Sequence, residues 1–444
     1  MKKDINKKES NLYQLEGRVP LGEAVPLGIQ HVLAMFLGNL SPLLIICGIL
    51  DVSVELKSIL IQNSMFVSGL GTLLQLYPVF RIGSGLPIVT GSNSGFIASE
   101  KSIGLAYGYD AIAGATLIGA LIEIVLGFFV KPLRKLFPPI VTSLVIITMG
   151  LSLLPVGINY FGGGETSADF GSPKNLLVAT IVVVVIILLK QFGKGILNVS
   201  SLLIGIVVGY IVAIFLGMVD FTPFKEAAWF SLPQPFVTGF EFRADAIISM
   251  LIIYIVTAVE TMGNVSAITI GGLNRDPEDK EISGAIVADG VISVFSAVFG
   301  VLPNTAFGQN AGIVAVTKVV NKFCIMTGAV ALILAGFIPK LSAIFSIMPQ
   351  SVLGGAAVIM FSMIFVSGLQ ALIREGLDER NILIVSVTMG VGYGIAQVPA
   401  VLGQLPVGLV EILTSNSIVL VCIISSILNL LLPKNKEKNI DNKA

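Results

Sequence analysis

The chain has 444 residues, 55% of them hydrophobic and 12% charged, with a formal net charge of zero and a mean hydropathy of +0.93. Soluble domains carry about 25% charged residues, so this composition excludes an ordinary soluble domain. Zero net charge excludes a general attraction to nucleic acid. The long apolar runs lack the period-two alternation of a β-barrel, which leaves an all-α polytopic membrane protein in a lipid bilayer.

The N-terminal "MKKDINKKES" is basic but is followed by polar residues rather than by an apolar core and cleavage site. It reads as a cytoplasmic tail. Fourteen apolar segments follow, near residues 26–50, 56–78, 84–98, 110–129, 138–158, 174–190, 197–217, 243–263, 283–302, 306–317, 323–338, 349–371, 382–397 and 408–432. The third and tenth are too short for a simple span of about twenty residues and are rich in Gly, Ser, Thr, Asn and Pro. With the N-terminus inside, the external loops hold only Lys57, Lys101, Lys174, Lys225, Arg243 and Lys340 of the 27 basic residues. The bias toward the cytoplasmic side supports an even count with both termini cytoplasmic. Cys47, Cys324 and Cys422 lie in apolar segments without metal-ligand spacing and read as packing residues.

Two passages echo each other. "LPIVTGSNSGF" begins at Leu86 and "LPNTAFGQNAG" at Leu302; laying Pro87 on Pro303 sets Asn93 on Gln309. A seven-span unit repeated once must invert, because seven is odd. The expectation is therefore a 7+7 inverted repeat whose third and tenth segments are short and interrupted. Paired polar, Gly/Pro-interrupted segments in matching places of two halves point to a transporter site. Irregular backbone survives at membrane depth only inside protein or along a cavity, and half-helix N-termini there offer free N–H groups and a positive dipole end.

Several polar residues stand within the apolar helices. Glu260 lies in "YIVTAVETMGNVSAIT", with Asn264 one helical turn on, and Asp289 lies in the next segment. A carboxylate at membrane depth is expensive unless paired, solvated or protonated. His31 is the only histidine, in "LGIQHVLAMF"; it reads equally as a core residue or a functional one. Glu123 reads as an inter-helix contact or as facing a cavity, with the structural role preferred. There is no P-loop, metal cluster or Ser/His/Asp arrangement, so neither a cofactor nor an enzyme is expected.

These residues resemble a known family, the nucleobase–ascorbate transporters, also called nucleobase:cation symporter family 2. The resemblance runs from "QHVLAMF" at Gln30 to the last apolar segment. Its most specific motif is "FGQNAGIVAVTK", in which Gln309, Asn310, Gly312, Thr317 and Lys318 match the family pattern. It implies a core (21–130 and 243–338) and a gate (131–242 and 339–432) between cytoplasmic tails (1–20 and 433–444). Substrate would lie between the short third and tenth segments, by Asn93, Ser94, Gly308, Gln309 and Asn310. The family's key glutamate falls on Glu260, its aspartate on Asp289 and its histidine on His31, which makes these three the candidates for proton coupling. A Gln at position 309 implies a purine such as xanthine or uric acid; a carboxamide both donates to and accepts from an oxopurine edge, while a carboxylate only accepts. Asn264 and Ser94 depart from the family, which often has Asp and an aromatic there. A homodimer in the cell membrane is implied as well.

The leading expectation is thus a proton-coupled purine symporter. Alternatives are a uracil symporter of the same family and an anion carrier of the sulfate-permease type, which usually has a soluble domain after its last span. An intramembrane enzyme would need a catalytic constellation that is not visible.

Overall fold

A backbone out of water must satisfy its own N–H and C=O groups, so the apolar segments become helices. A computed structural model describes residues 11–130, 138–165, 167–194, 196–404 and 417–433. Lys131, Arg134 and Lys135, residues 1–10 and 434–444 of the tails, and the first part of the last apolar segment lie outside the described residues.

In chain order, α1 (Leu21–Ile49) and α2 (Val54–Leu76) lead into strand β1 (Thr90–Ser92), one 3-10 turn and α3 (Ile97–Tyr107). Next come α4 (Tyr109–Gly127), α5 (Pro139–Phe161), α6 (Pro173–Phe192) and α7 (Ser201–Phe215). Then α8 (Ala244–Leu273) and α9 (Asp279–Val298) lead into β2 (Asn304–Ala306) and α10 (Gly308–Thr317). The chain continues through α11 (Lys322–Ala335), α12 (Pro339–Ser346), α13 (Gln350–Glu375), α14 (Glu379–Val387) and α15 (Ser417–Leu431). Among the described residues, eight helices are long and apolar enough to cross a bilayer: α1, α2, α4, α5, α6, α8, α9 and α13. The pair α11 and α12, bent by 82°, makes a ninth if it is one span, and α7 and α15 are shorter apolar helices. The bend falls between Gly336 and Pro339; a proline at the first position of α12 gives up an N–H that would be orphaned anyway.

Local chemistry sets the helix ends. Ser53 caps α2 by accepting from Leu56 N at 3.3 Å, and Asn321 caps α11 by accepting from Phe323 N at 3.0 Å. Glu278 and Glu281 form a capping box at α9, satisfying two orphan donors together. Between helices, lipid supplies no hydrophobic drive, so small residues bring backbones close. A Cβ added at Gly28 of α1 would lie 2.6 Å from Gly328 N of α11, and one at Gly290 of α9 would lie 2.8 Å from Ile124 N of α4. In this way α9 packs along α4 and α2, and α11 along α1 and α2, while α13 packs along α5 and α6.

The two strands pair antiparallel, Thr90 with Ala306, Gly91 with Thr305 and Ser92 with Asn304. Asn93 N to Pro303 O at 3.1 Å and Phe307 N to Val89 O at 2.9 Å lengthen the ladder at both ends. Every residue of both strands is buried, so this small sheet lies inside the helices and brings the starts of α3 and α10 together.

Candidate functional site

A two-stranded sheet has two open edges, and an unpaired backbone group away from water is costly. Side chains close both. On the β1 edge, Asn39 Oδ1 of α1 accepts from Ser92 N at 2.7 Å, and Thr72 Oγ1 of α2 accepts from Thr90 N at 3.1 Å. On the β2 edge, Ser293 Oγ of α9 accepts from Asn304 N at 3.1 Å. Asp289 Oδ2 accepts from Ala306 N at 3.1 Å, and Asn264 Nδ2 of α8 donates to Ala306 O at 2.9 Å. Asp289 is fully buried and also accepts from Thr261 Oγ1 at 2.7 Å and from Gln75 Nε2 at 2.9 Å. Three donors converge on one carboxyl.

Beyond the sheet the two segments turn into helices toward α8. Asn93 Oδ1 accepts from Gly95 N at 2.7 Å and caps the 3-10 turn before α3. Its Nδ2 donates to Thr305 Oγ1 at 2.8 Å and to Glu260 Oε2 at 3.0 Å. Among the described residues nothing donates to Glu260 Oε1, and Glu260, Asn264, Asn93 and Ser94 are all half-buried. The start of α10 is open: Gly308 and Gln309 are exposed, and no side chain caps this helix. Its first N–H groups and positive dipole end therefore face free space. A Cβ added at Gly308 would lie 3.1 Å from Asn264 Oδ1, while one at Gly263 or Gly312 would meet nothing within 4 Å. No described residue hydrogen-bonds the Gln309 side chain. The result is one carboxylate oxygen, one free carboxamide and a helix N-terminus beside an open face: a set that can hold a small planar molecule with both donors and acceptors.

The remaining motif residues divide. Asn310 is buried and turned away from the open face; its Nδ2 is 2.9 Å from His31 Nδ1 and 3.3 Å from His31 O. His31 is buried too and ties α1 to α10. Thr317 Oγ1 donates to Ile313 O at 2.8 Å, and the Lys318 ammonium donates to Gly271 O at the end of α8. A cation there complements the helix dipole. Gly312 is exposed beside Gln309, one turn along α10. Glu123 makes no inter-helix hydrogen bond: both it and Glu100 are fully buried, and no described residue donates to their carboxyl oxygens. Sequence reasoning missed Asn39, Gln75, Thr261 and Thr305. Their only signal is a polar side chain within an apolar or strand-like stretch.

A membrane-embedded site where two interrupted segments meet defines a class, the multi-pass membrane transporter. The chain belongs to the Permease family, whose model matches residues 22–401. It is 38% identical over 416 residues to a putative purine permease of Clostridium perfringens, covering 94% of this chain and 92% of that one. It is 37% identical to a xanthine permease of Bacillus subtilis, covering 95% of this chain and 97% of the relative, and 33% identical to the xanthine permease XanQ of Escherichia coli, covering 97% and 96%. In fold it resembles the transmembrane domain of a cyanobacterial bicarbonate transporter at 14% identity and a TM-score of 0.58, covering 94% of this chain and all of that one. It also resembles a murine Solute Carrier 26 anion transporter in its inward-facing state, at 11% identity and a TM-score of 0.66, covering 95% and 70%. The chain is a transporter and not an enzyme.

Proposed function

We propose that this protein takes up a purine nucleobase, xanthine or uric acid, across the cell membrane in symport with protons. The observation that carries the reading is the open pair of Glu260 and Gln309. Glu260 is anchored through Oε2 by Asn93 and keeps Oε1 for a substrate N–H, while Gln309 is unbonded among the described residues. Gln309 and the first N–H groups of α10 read the carbonyl and ring-nitrogen edge; Ser94 and Gly308 line the approach. The curated relatives named xanthine and purine permeases support the same substrate class. The anion carriers share the fold, but a bare carboxylate oxygen in the site disfavours a small inorganic anion.

Transport proceeds by alternating access. Helices α1 to α4 and α8 to α11 form the moving core, and α5 to α7 with α12 to α15 form the gate, within a 7+7 inverted repeat of fourteen segments whose termini are cytoplasmic. Asp289 carries the coupling proton: it joins the site through Ala306 of β2, so its charge state reaches the strands that hold Asn93 and Gln309. Uptake of radiolabelled xanthine, urate, uracil and sulfate, with and without a protonophore, tests the assignment. Protonophore-sensitive purine uptake is expected; sulfate or uracil uptake alone overturns it.

A further inference from the structure

On one side of buried Asp289 stand the Gln75 side chain and the Gly83–Gly85 turn. Gln75 Nε2 donates to Asp289 Oδ1 at 2.9 Å and to Ala285 O at 2.9 Å, and its Oε1 accepts from Ser84 N at 3.2 Å. Ala285 O only accepts and Ser84 N–H only donates, so the amide has one orientation. Ser84 Oγ and Gly85 N also donate to the Gln75 backbone carbonyl, at 3.4 and 2.8 Å. The turn is pressed onto α9: Gly83 N donates to Gly284 O at 2.9 Å, and a Cβ at Gly284 would lie 2.0 Å from Gly83 O. On the far side of Ser84 opens a recess of about 720 Å³, floored by Gly83 and Ser84 and edged by Phe80, Arg81, Asp279 and Lys280. Phe80 and Arg81 of its lining form a two-residue turn closed by the Val79–Ile82 bridge, with Phe80 in the left-handed region at φ 56° and 98% exposed. A bulky residue there is strained backbone.

We propose that Gln75 and the Gly83–Gly85 turn are the inner barrier of Asp289, and that its proton exchanges with water in this recess. The inference rests on the coupling role given to Asp289 above. The ionised carboxyl accepts from three donors. A proton arriving on Oδ1 meets the Gln75 amide donor and breaks that contact. Rotating the amide to restore it sets Nε2 against Ser84 N–H. Left in place, the amide loses its bond to Asp289; flipped, it loses its bond to Ser84 N. Either way the chain from the carboxyl through Gln75 to the turn is broken at one link when Asp289 gains a proton, so occupancy of the carboxyl and opening toward the recess are linked. The other carboxyls facing Asp289 are Glu260 on α8 and Glu123 on α4; α2 and β2 present none. The recess presents Arg81, Asp279 and Lys280, with Lys280 paired to Glu278 at 2.9 Å.

Two measurements on the full-length protein in vesicles test this. The three native cysteines are buried, so Ser84→Cys can be probed with a charged, membrane-impermeant thiol reagent, with Phe80→Cys as the marker of sidedness. Ser84→Cys should react at least tenfold faster from the side on which Phe80→Cys reacts. No reaction while Phe80→Cys is labelled, or equal reaction from both sides, overturns the barrier. Gln75→Leu should lower pH-gradient-driven purine accumulation at least tenfold more than it lowers equilibrium counterflow, which needs no net proton movement. Equal losses in the two assays would make Gln75 a structural prop only. Should Asp289→Asn still accumulate purine in a protonophore-sensitive way, the coupling reading fails, and the labelling of Ser84→Cys still decides whether the recess reaches the turn.

Discussion

The segment through β1 and the segment through β2 share a plan: Leu-Pro, a three-residue strand, then a helix start, with Ile88 and Val89 inserted before the strand in the first alone. At Asn93 the first closes on itself, its side chain capping its own turn and reaching Thr305 and Glu260. At Gln309 the second stays open, with no cap and no partner among the described residues. Their outer edges differ as well. Neutral Asn39 and Thr72 seal β1; Asp289, with Ser293 and Asn264, seals β2. The first segment is thus a bracket for Glu260. The second stays open and is backed by an ionisable group, and under the proposed function it is the surface that reads the base.

The largest break of this contrast is Glu260→Gln, which removes the one carboxylate the bracket holds. Losing a charge-assisted hydrogen bond costs about 1.5–3 kcal/mol, roughly ten- to a hundredfold in purine affinity. Calorimetry on purified protein checks it, and unchanged affinity would remove Glu260 from the site. Next is Asp289→Asn, which leaves an acceptor for only part of three donors. It should fold, bind purine measurably and lose accumulation driven by a pH gradient. The matched change on the quiet edge, Asn39→Ala, orphans Ser92 N and should destabilise the protein by about 1–3 kcal/mol without uncoupling it. Thermal unfolding alongside transport separates the two edges; uncoupling by Asn39→Ala would erase the distinction. Gln309→Glu keeps the shape, deletes a donor and adds a charge near Glu260. Purine uptake should fall at normal protein levels, with uracil uptake the measurement that shows whether the base class has switched. The smallest effect belongs to Gly308→Ala, whose methyl would meet Asn264 Oδ1 at 3.1 Å. With Asn264 giving way by a few tenths of an ångström, affinity should change by about threefold or less, at the low end of what one net hydrogen bond contributes.

Much of this was legible in the sequence for a local reason. Polar residues and Pro/Gly in segments too short to span mark irregular backbone wherever they occur, so "LPIVTGSNSGF" and "LPNTAFGQNAG" announced themselves. Glu260 and Asp289 were visible because a carboxylate among apolar residues needs a reason. What stayed hidden depends on partners far along the chain. Nothing near "LLQLYP" says that Gln75 meets Asp289, and nothing near Asn39 says that it seals a strand. The opposite fates of neighbours Gln309 and Asn310, one open and one bound to His31, follow from the turn of α10 against α1. That packing is tertiary and has no signature in the dipeptide. The pattern around Glu123 allows a helix-to-helix contact as well as a cavity-facing one, and among the described residues no hydrogen-bond partner meets its carboxyl.

The pairing of β1 with β2 also sets a timetable for biogenesis. Roughly two hundred residues separate the strands, and synthesis runs at about 5–20 residues per second. For roughly ten to forty seconds, β1 has left the ribosome with no partner strand in existence. Asn39 and Thr72 precede or accompany it and can close one edge at once; the other must wait for Asn304–Ala306. The nascent first half therefore needs shelter, from the insertion machinery or from the water of an unfinished cavity, and the second half acts on it as a chaperone supplied by the same message.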